Sequence, residues 1–475
     1  MITAGSASGW SRADTIALTA ITTLAAVLRF VRLGDPESIV FDETYYAKDS
    51  CWYALTSASV CDVDGEQVEV HPPLGKWLLA GGIKIFGYDS FGWRFAAVVA
   101  GVITIVLLYV VARRLLRSTV AASLTSVLLA VDLLHFVQSR IAMLDVFVPL
   151  FGLAAVLFVV IDRDRALAGE SGRSEDRRIR RPWRLAAGMA AGAATASKWS
   201  GVFFLVLVLL LSFVWEVAAR RERGENAPLM GAIRSEWISL LAYLVVVPAF
   251  VYGASFIGQV HGDVFGAPWS EGTWLRAWWD RQIHMADYHL GLEATHTYQS
   301  PPWTWILVRR PVSYFYETTA SGERAEILAL GNPILWWSSI PALVFVAYRW
   351  ARRRDFRGPE GVILVGFLLT YGPWLLQQTD RSAVFLFYLL PSVPFMYLAI
   401  GSVAASLGST WEAKAAVAVV AALAVGSFAF FYPVMAKVPL PVEQWTDRMW
   451  YQSCDRAPPR RNEEESPPPT GWCWI

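Results

Sequence analysis

The sequence predicts an all-α polytopic membrane protein. Three observations carry that expectation. The 475 residues are 55% hydrophobic and only 17% charged, and the mean hydropathy is +0.39, outside the range of ordinary soluble chains. Apolar runs of spanning length recur along the chain. Arginine gathers in alternate loops between those runs, which orients a multi-pass protein. Twenty-three Trp and seventeen Tyr suit many interfacial anchor positions.

A spanning helix needs roughly 20 apolar residues, and reading for such runs gives about eleven. They lie near 13–33, 91–112, 119–135, 142–161, 184–197, 200–218, 237–256, 334–349, 361–376, 383–404 and 413–432. No small-residue cleavage site follows the first run, which reads as an uncleaved signal anchor. With the N-terminus (1–12) in the cytoplasm, Arg113, Arg114 and Arg117 follow run two on the inner side. Arg163, Arg165, Arg173, Arg177, Arg178, Arg180, Arg181 and Arg184 follow run four. Arg220, Arg221, Arg223 and Arg234 follow run six, and Arg349, Arg352, Arg353, Arg354 and Arg357 follow run eight. All fall on the cytoplasmic side. The chain then divides into a membrane module of about seven spans over 13–256, with an outer loop at 34–90, and an outer segment at 257–333. A four-helix membrane module at 334–432 and an outer tail at 433–475 complete it.

All four cysteines fall on the predicted outer side: Cys51 and Cys61 in the first outer loop, Cys454 and Cys473 in the tail. Disulfides need an oxidising compartment. Of three pairings, Cys51–Cys61 with Cys454–Cys473 is favoured, and free thiols are the other reading.

Several cations sit on the face where Lys and Arg should be scarce: Arg29, Arg32, Arg94, Arg140, Lys198 and Arg381. Snorkelling to headgroups explains any one of them. As a set they predict an outward-facing anion site, since Arg offers a planar fork to phosphate and Lys a point charge. Acids share that edge, with Asp42 and Glu43 in "FDET" and Asp145 opening the fourth run. A lipid phosphate with a base beside it fits this grouping; a structural salt-bridge network is the alternative. His71-Pro72-Pro73 breaks any helix, and the "LGKWLLAGGIKIFG" after it is amphipathic but too short to span. His71 is a proton shuttle or, more simply, is held for packing by its prolines. His284, Asp287 and His289 in the second outer segment match no metal spacing. No P-loop, dinucleotide fingerprint or zinc pair is present, and nothing in the charge balance favours nucleic acid.

In order along the chain, "FDETYYAKD", "HPPLGKWLL", "SRIAMLDVFVPLF" and "ASKWSGVFFL" resemble the bacterial protein O-mannosyltransferases. "YQSPPWTWILVRRPVSYFYE" and "LGNPILWWSSIPAL" resemble the second half of that family. The Arg- and Ala-rich composition is most similar to its actinobacterial members. The resemblance implies a GT-C type glycosyltransferase of family 39 in the cell membrane. It implies a polyprenyl-phosphate mannose donor and Ser/Thr acceptors on polypeptides leaving the Sec translocon. It maps the catalytic acid to Asp42 with Glu43 beside it, and the HPP motif to His71, Pro72 and Pro73. Arg29 and Arg94 map near the donor phosphate, joined by Arg140 and Lys198 from the charge argument, with Asp145 in support. No organic cofactor is implied. A divalent metal is not supported, because two adjacent carboxylates are a weak ligand set. A related transferase with a lipid or glycan acceptor is the nearest rival. A transporter fits poorly, because the charges crowd the outer ends rather than mid-span.

Overall fold

The structure, a computed structural model, describes residues 9–55, 58–61, 70–167, 181–256, 274–292, 296–376, 383–408, 410–451 and 472. Helices occupy all eleven apolar stretches. Among the described residues, eight are long and apolar enough to cross a membrane. In chain order the main elements are α1 (Arg12–Phe30), α2 (Glu43–Leu55), α3 (Leu74–Phe86), α4 (Ser90–Leu116), α5 (Thr119–Ala130) and α6 (Leu133–Gln138). Next come α7 (Phe147–Leu167), α8 (Pro182–Ser197), α9 (Val202–Glu222), α10 (Pro228–Ala254) and α11 (Trp274–Leu290). The hairpin β1 (Val312–Thr318) and β2 (Arg324–Ala329) precedes α12 (Pro333–Arg353), α13 (Pro359–Leu376), α14 (Val393–Ser406) and α15 (Trp411–Met435).

Local chemistry sets these boundaries. Ser11 caps α1 in a reciprocal box with Asp14. The buried Asp14 carboxylate then accepts from Arg113 Nε (2.8 Å), Thr119 Oγ1 (2.8 Å) and the Tyr109 hydroxyl (3.1 Å). The start of α1 is thereby tied to the end of α4. The third apolar run is not one helix. Asp132 interrupts it, accepting from the His135 amide (2.7 Å) to cap α6 and from Trp336 Nε1 (2.9 Å) across the bundle. In α10 a π-turn spans Ala242–Val246 just before Pro248, where the ring and the missing N–H break the regular ladder. Gly188 of α8 meets that turn, and a Cβ there would overlap the Tyr243 carbonyl oxygen. Such a contact is the small-residue approach typical of membrane helices.

One feature is not helical. β1 and β2 pair antiparallel, from Val312 opposite Ala329 to Thr318 opposite Arg324. All but the last residue of β1 falls in the "YQSPPWTWILVRRPVSYFYE" stretch. The Cys51–Cys61 disulfide is present. Cys454, Cys473 and Arg381 lie outside the described residues.

Candidate active site

The two acids of "FDET" have opposite surroundings. Glu43 is the first residue of α2 and fully buried. Its Oε1 accepts from Arg94 Nε (2.8 Å) and the Ala142 amide (2.9 Å), and its Oε2 from Arg94 Nη2 (2.8 Å) and the Val40 amide (3.0 Å). Four donors saturate this carboxylate. Asp42 is only part-buried. Its carbonyl accepts the first amides of α2, from Tyr45 and Tyr46 (3.0 Å each). Its carboxylate receives no hydrogen bond among the described residues. Burial pushes its pKa up to about 6; Lys198 pulls it down and Asp145 pushes it further up.

The residue before it is held tightly. Phe41 has φ +48°, a left-handed conformation that strains a residue with a Cβ. Its ring packs on Tyr314 (4.4 Å between centroids) and lies edge-on to Phe387 and His296. Those contacts over-determine the strained backbone and fix where Asp42 points.

Lys198, at the end of α8, donates to both oxygens of Asp145 (2.8 and 2.9 Å). Its ammonium also lies 4.7 Å from the centre of the Tyr388 ring. Burial disfavours the charged form, yet Asp145 foremost, with Tyr388 and Asp42, holds the Lys198 pKa above its ordinary value. Lys198 therefore stays charged beside Asp42. Burial also raises the Tyr46 and Tyr314 phenols, with Asp42 and Asp145 adding to the shift. Tyr314 accepts from Gln138 Nε2 (2.7 Å). The site is thus assembled from the start of α2, the ends of α6 and α8, the turn before α7, strand β1 and the turn before α14. It can take a proton at Asp42 and meet an anion at Lys198, between aromatic walls.

Of the four cations expected to meet a phosphate, Lys198 is the one placed beside Asp42. The other three have partners within the chain. Arg94 commits all five N–H donors: to Glu43 and to the carbonyls of Leu33 (3.2 Å), Pro36 (2.8 Å) and Ser38 (3.1 Å). Arg140 donates to the carbonyls of Leu28, Arg29, Val31 and Arg32, the open C-terminal end of α1. Arg29 is buried against the Ala25 and Ala130 carbonyls and His135 Nδ1 (3.0 Å). In the structure these three organise the loop and the helix end. Of the salt-bridge network that the sequence left as an alternative, the Glu43–Arg94 pair is present; Arg29 and Arg140 hold backbone carbonyls instead.

His71 opens the turn into α3, where the Pro73 carbonyl accepts from the Trp77 amide (3.0 Å). Its ring stacks on His289 of α11 (5.0 Å) and lies 6.0 Å from Tyr46. His289 Nε2 donates to the Val70 carbonyl (2.8 Å). The histidine that matched no metal spacing therefore joins α11 to the HPP turn. Pro72 and Pro73 are buried. Among the described residues, no cluster of three or more His, Cys, Asp or Glu side chains is placed to hold a metal. Sequence reasoning missed Tyr46, Gln138, Tyr314 and Tyr388. Tyr46 and Tyr314 sat within stretches quoted for the family resemblance; nothing local marked Gln138 and Tyr388.

Comparison with known proteins places this geometry. A family model described as dolichyl-phosphate-mannose-protein mannosyltransferase matches residues 19–93 and 89–264. A model for the C-terminal four-transmembrane region of protein-O-mannosyltransferase matches 274–454. The chain is 33% identical to a polyprenol-phosphate-mannose–protein mannosyltransferase of Mycobacterium tuberculosis, over 91% of this chain and 90% of that one. It is 32% identical to that of Mycolicibacterium smegmatis, over 94% and 93%. In fold it resembles the Saccharomyces cerevisiae Pmt1-Pmt2 complex bound to the sugar donor (TM-score 0.74, 16% identity, 94% of this chain and 93% of that one). It also resembles ArnT from Cupriavidus metallidurans (TM-score 0.55, 18% identity, 89% and 65%).

Proposed function

The chain belongs to the protein O-mannosyltransferase family, and we propose that Asp42 is the base with which it transfers mannose from polyprenyl-phosphate mannose to Ser and Thr hydroxyls of proteins. It is a multi-pass membrane glycosyltransferase with a GT-C fold. One observation carries the assignment of the base. The Asp42 carboxylate is free of protein donors among the described residues, shielded enough to have its pKa pushed up to about 6, and set beside the Lys198–Asp145 pair.

A Ser or Thr hydroxyl is a poor nucleophile until a base takes its proton. In the proposed step Asp42 removes that proton as the hydroxyl oxygen bonds to the anomeric carbon. The bond from that carbon to the phosphate oxygen breaks on the opposite side, so the configuration inverts. Polyprenyl phosphate leaves as an anion and needs a cation rather than a general acid. Lys198 supplies that charge, and Asp145 holds it in place. Glu43 and the three arginines keep the first outer loop rigid around the base, while His71 with Pro72 and Pro73 seats α11 against it. The reaction takes place on the extracytoplasmic side of the cell membrane, with the N-terminus inside and the C-terminus outside. Its acceptors are polypeptides still extended as they leave the Sec translocon.

The test is direct. Membranes containing the protein are incubated with radiolabelled polyprenyl-phosphate mannose and a Ser/Thr/Pro-rich peptide. Label on the peptide is expected, with its loss in Asp42→Asn. Label only in lipid or glycan would overturn the protein-acceptor reading in favour of the rival transferase.

A further inference from the structure

At the other end of the bundle lies a cavity that the transfer reaction does not use. Arg94 and Leu116 are both on α4, and a rise of about 1.5 Å per residue separates them by roughly 33 Å, a bilayer core's thickness. The cavity, of about 500 Å³, is lined by Leu116, Phe345, Arg349, Arg353, Ser402 and Ser406. These side chains come from the C-terminal turns of α4, α12 and α14. The volume exceeds that of a few waters at ~30 Å³ each.

Its arginines differ from those around Glu43. Phe345, Arg349 and Arg353 are four apart and form one stripe along α12, with the Arg349 guanidinium 5.7 Å from the Phe345 ring centre. Both arginines face one buried carboxylate, Glu360, at 3.0 and 3.6 Å. Two guanidiniums against one carboxylate leave a positive charge in excess. Beyond Glu360, neither guanidinium has a hydrogen-bond partner among the described residues, whereas Arg94 spends all five donors on the chain. Ser402 is buried, and its hydroxyl has no hydrogen-bond partner among the described residues. Open fork donors, a free hydroxyl and an apolar wall at the membrane boundary fit a phosphodiester headgroup with the start of its acyl chain.

We propose that this cavity is a binding site for an anionic phospholipid, with Arg349 and Arg353 holding the phosphate and Leu116 and Phe345 flanking the first acyl carbons. The full-length protein in detergent is titrated with phosphatidylglycerol, phosphatidylcholine or inorganic phosphate and read by native mass spectrometry. Phosphatidylglycerol is expected to bind at least about tenfold tighter than phosphatidylcholine, and inorganic phosphate not to displace it. Arg349→Gln/Arg353→Gln, which removes the charge, and Ser406→Trp, which fills the space, are each expected to weaken phosphatidylglycerol about tenfold. Both should leave mannosyl transfer in detergent unchanged, which also shows that they fold. Arg353→Gln alone, at an exposed position, provides the same test with the least disturbance. Equal binding of the two lipids, or phosphatidylglycerol binding unaltered in the variants, overturns the proposal. Displacement by inorganic phosphate overturns the lipid assignment and leaves a simple anion site.

Discussion

Asp42 and Glu43 are neighbours in sequence with opposite tasks, and the donors around each decide which is which. A carboxylate that accepts from four donors, two of them on one guanidinium, has no lone pair to spare. One with no donor and partial burial is a base in waiting. Asp42→Asn is therefore expected to lower turnover by about 10²–10⁴-fold, with the donor KM little changed, in a peptide-transfer assay. The raised pKa fixes the sign of the pH dependence. The ionised form is the active one, so kcat/KM should fall as pH drops through about 6 and level off above it. Stability runs the other way. Between the ordinary carboxylate range and about 6 the folded state binds the extra proton, so Asp42 costs stability as pH rises through that window. Asp42→Asn should accordingly raise Tm at pH 8. Glu43→Gln breaks a buried pair and strands Arg94, with an expected loss of about 3–5 kcal/mol, read by thermal unfolding in detergent. The sequence made the acidic pair and the outer cations legible. It did not separate their roles, because the partners of Arg94, Arg140 and Arg29 are mostly backbone carbonyls, which no residue pattern displays.

At the scale of elements, apolar runs located the helices because length and hydropathy are properties of contiguous residues. Two interruptions were harder to see. Asp132 stops the third run by capping α6 and reaching Trp336, about 200 residues away, so its role is tertiary. The β-hairpin was not legible in the sequence, since its strand pairing is settled by the fold. That hairpin matters because it delivers Tyr314 to Phe41. Tyr314→Phe keeps the ring on Phe41 and loses only the bond from Gln138, so its turnover should stay within a few-fold of wild type. Tyr314→Ala releases the strained backbone before Asp42 and should lower kcat by about tenfold or more, the size of effect expected when a catalytic group is misplaced by a fraction of an ångström. Equal effects of the two variants would mean that the phenol, not the ring, matters. Arg140 works on another element: it satisfies the last carbonyls of α1. Arg140→Ala should lower Tm while leaving donor KM unchanged, whereas a raised donor KM would return Arg140 to the phosphate.

Across the whole molecule, one axis organises both the chemistry and the membrane. The Glu43–Arg94 pair and the Asp42 site lie at the start of α4, and the Asp14–Arg113 pair lies at its end. The arginine-rich ends of α4, α9 and α12 sit with the second group, and the proposed orientation, which rests on the positive-inside bias, has them in the cytoplasm and Asp42 outside. In that proposed orientation the part-buried Asp42 reaches a chain only after it has crossed the membrane. Orientation and acceptor are therefore one claim, and a labelling experiment tests both. Ser321, in the exposed turn between β1 and β2, and Arg352, exposed near the end of α12, mark the two faces. Ser321→Cys should react with a membrane-impermeant maleimide in intact cells, measured above the background of the parent protein. Arg352→Cys should react only after permeabilisation. The reverse pattern would place Asp42 in the cytoplasm, where acceptors are still being synthesised, and would remove the physical reason for coupling transfer to export.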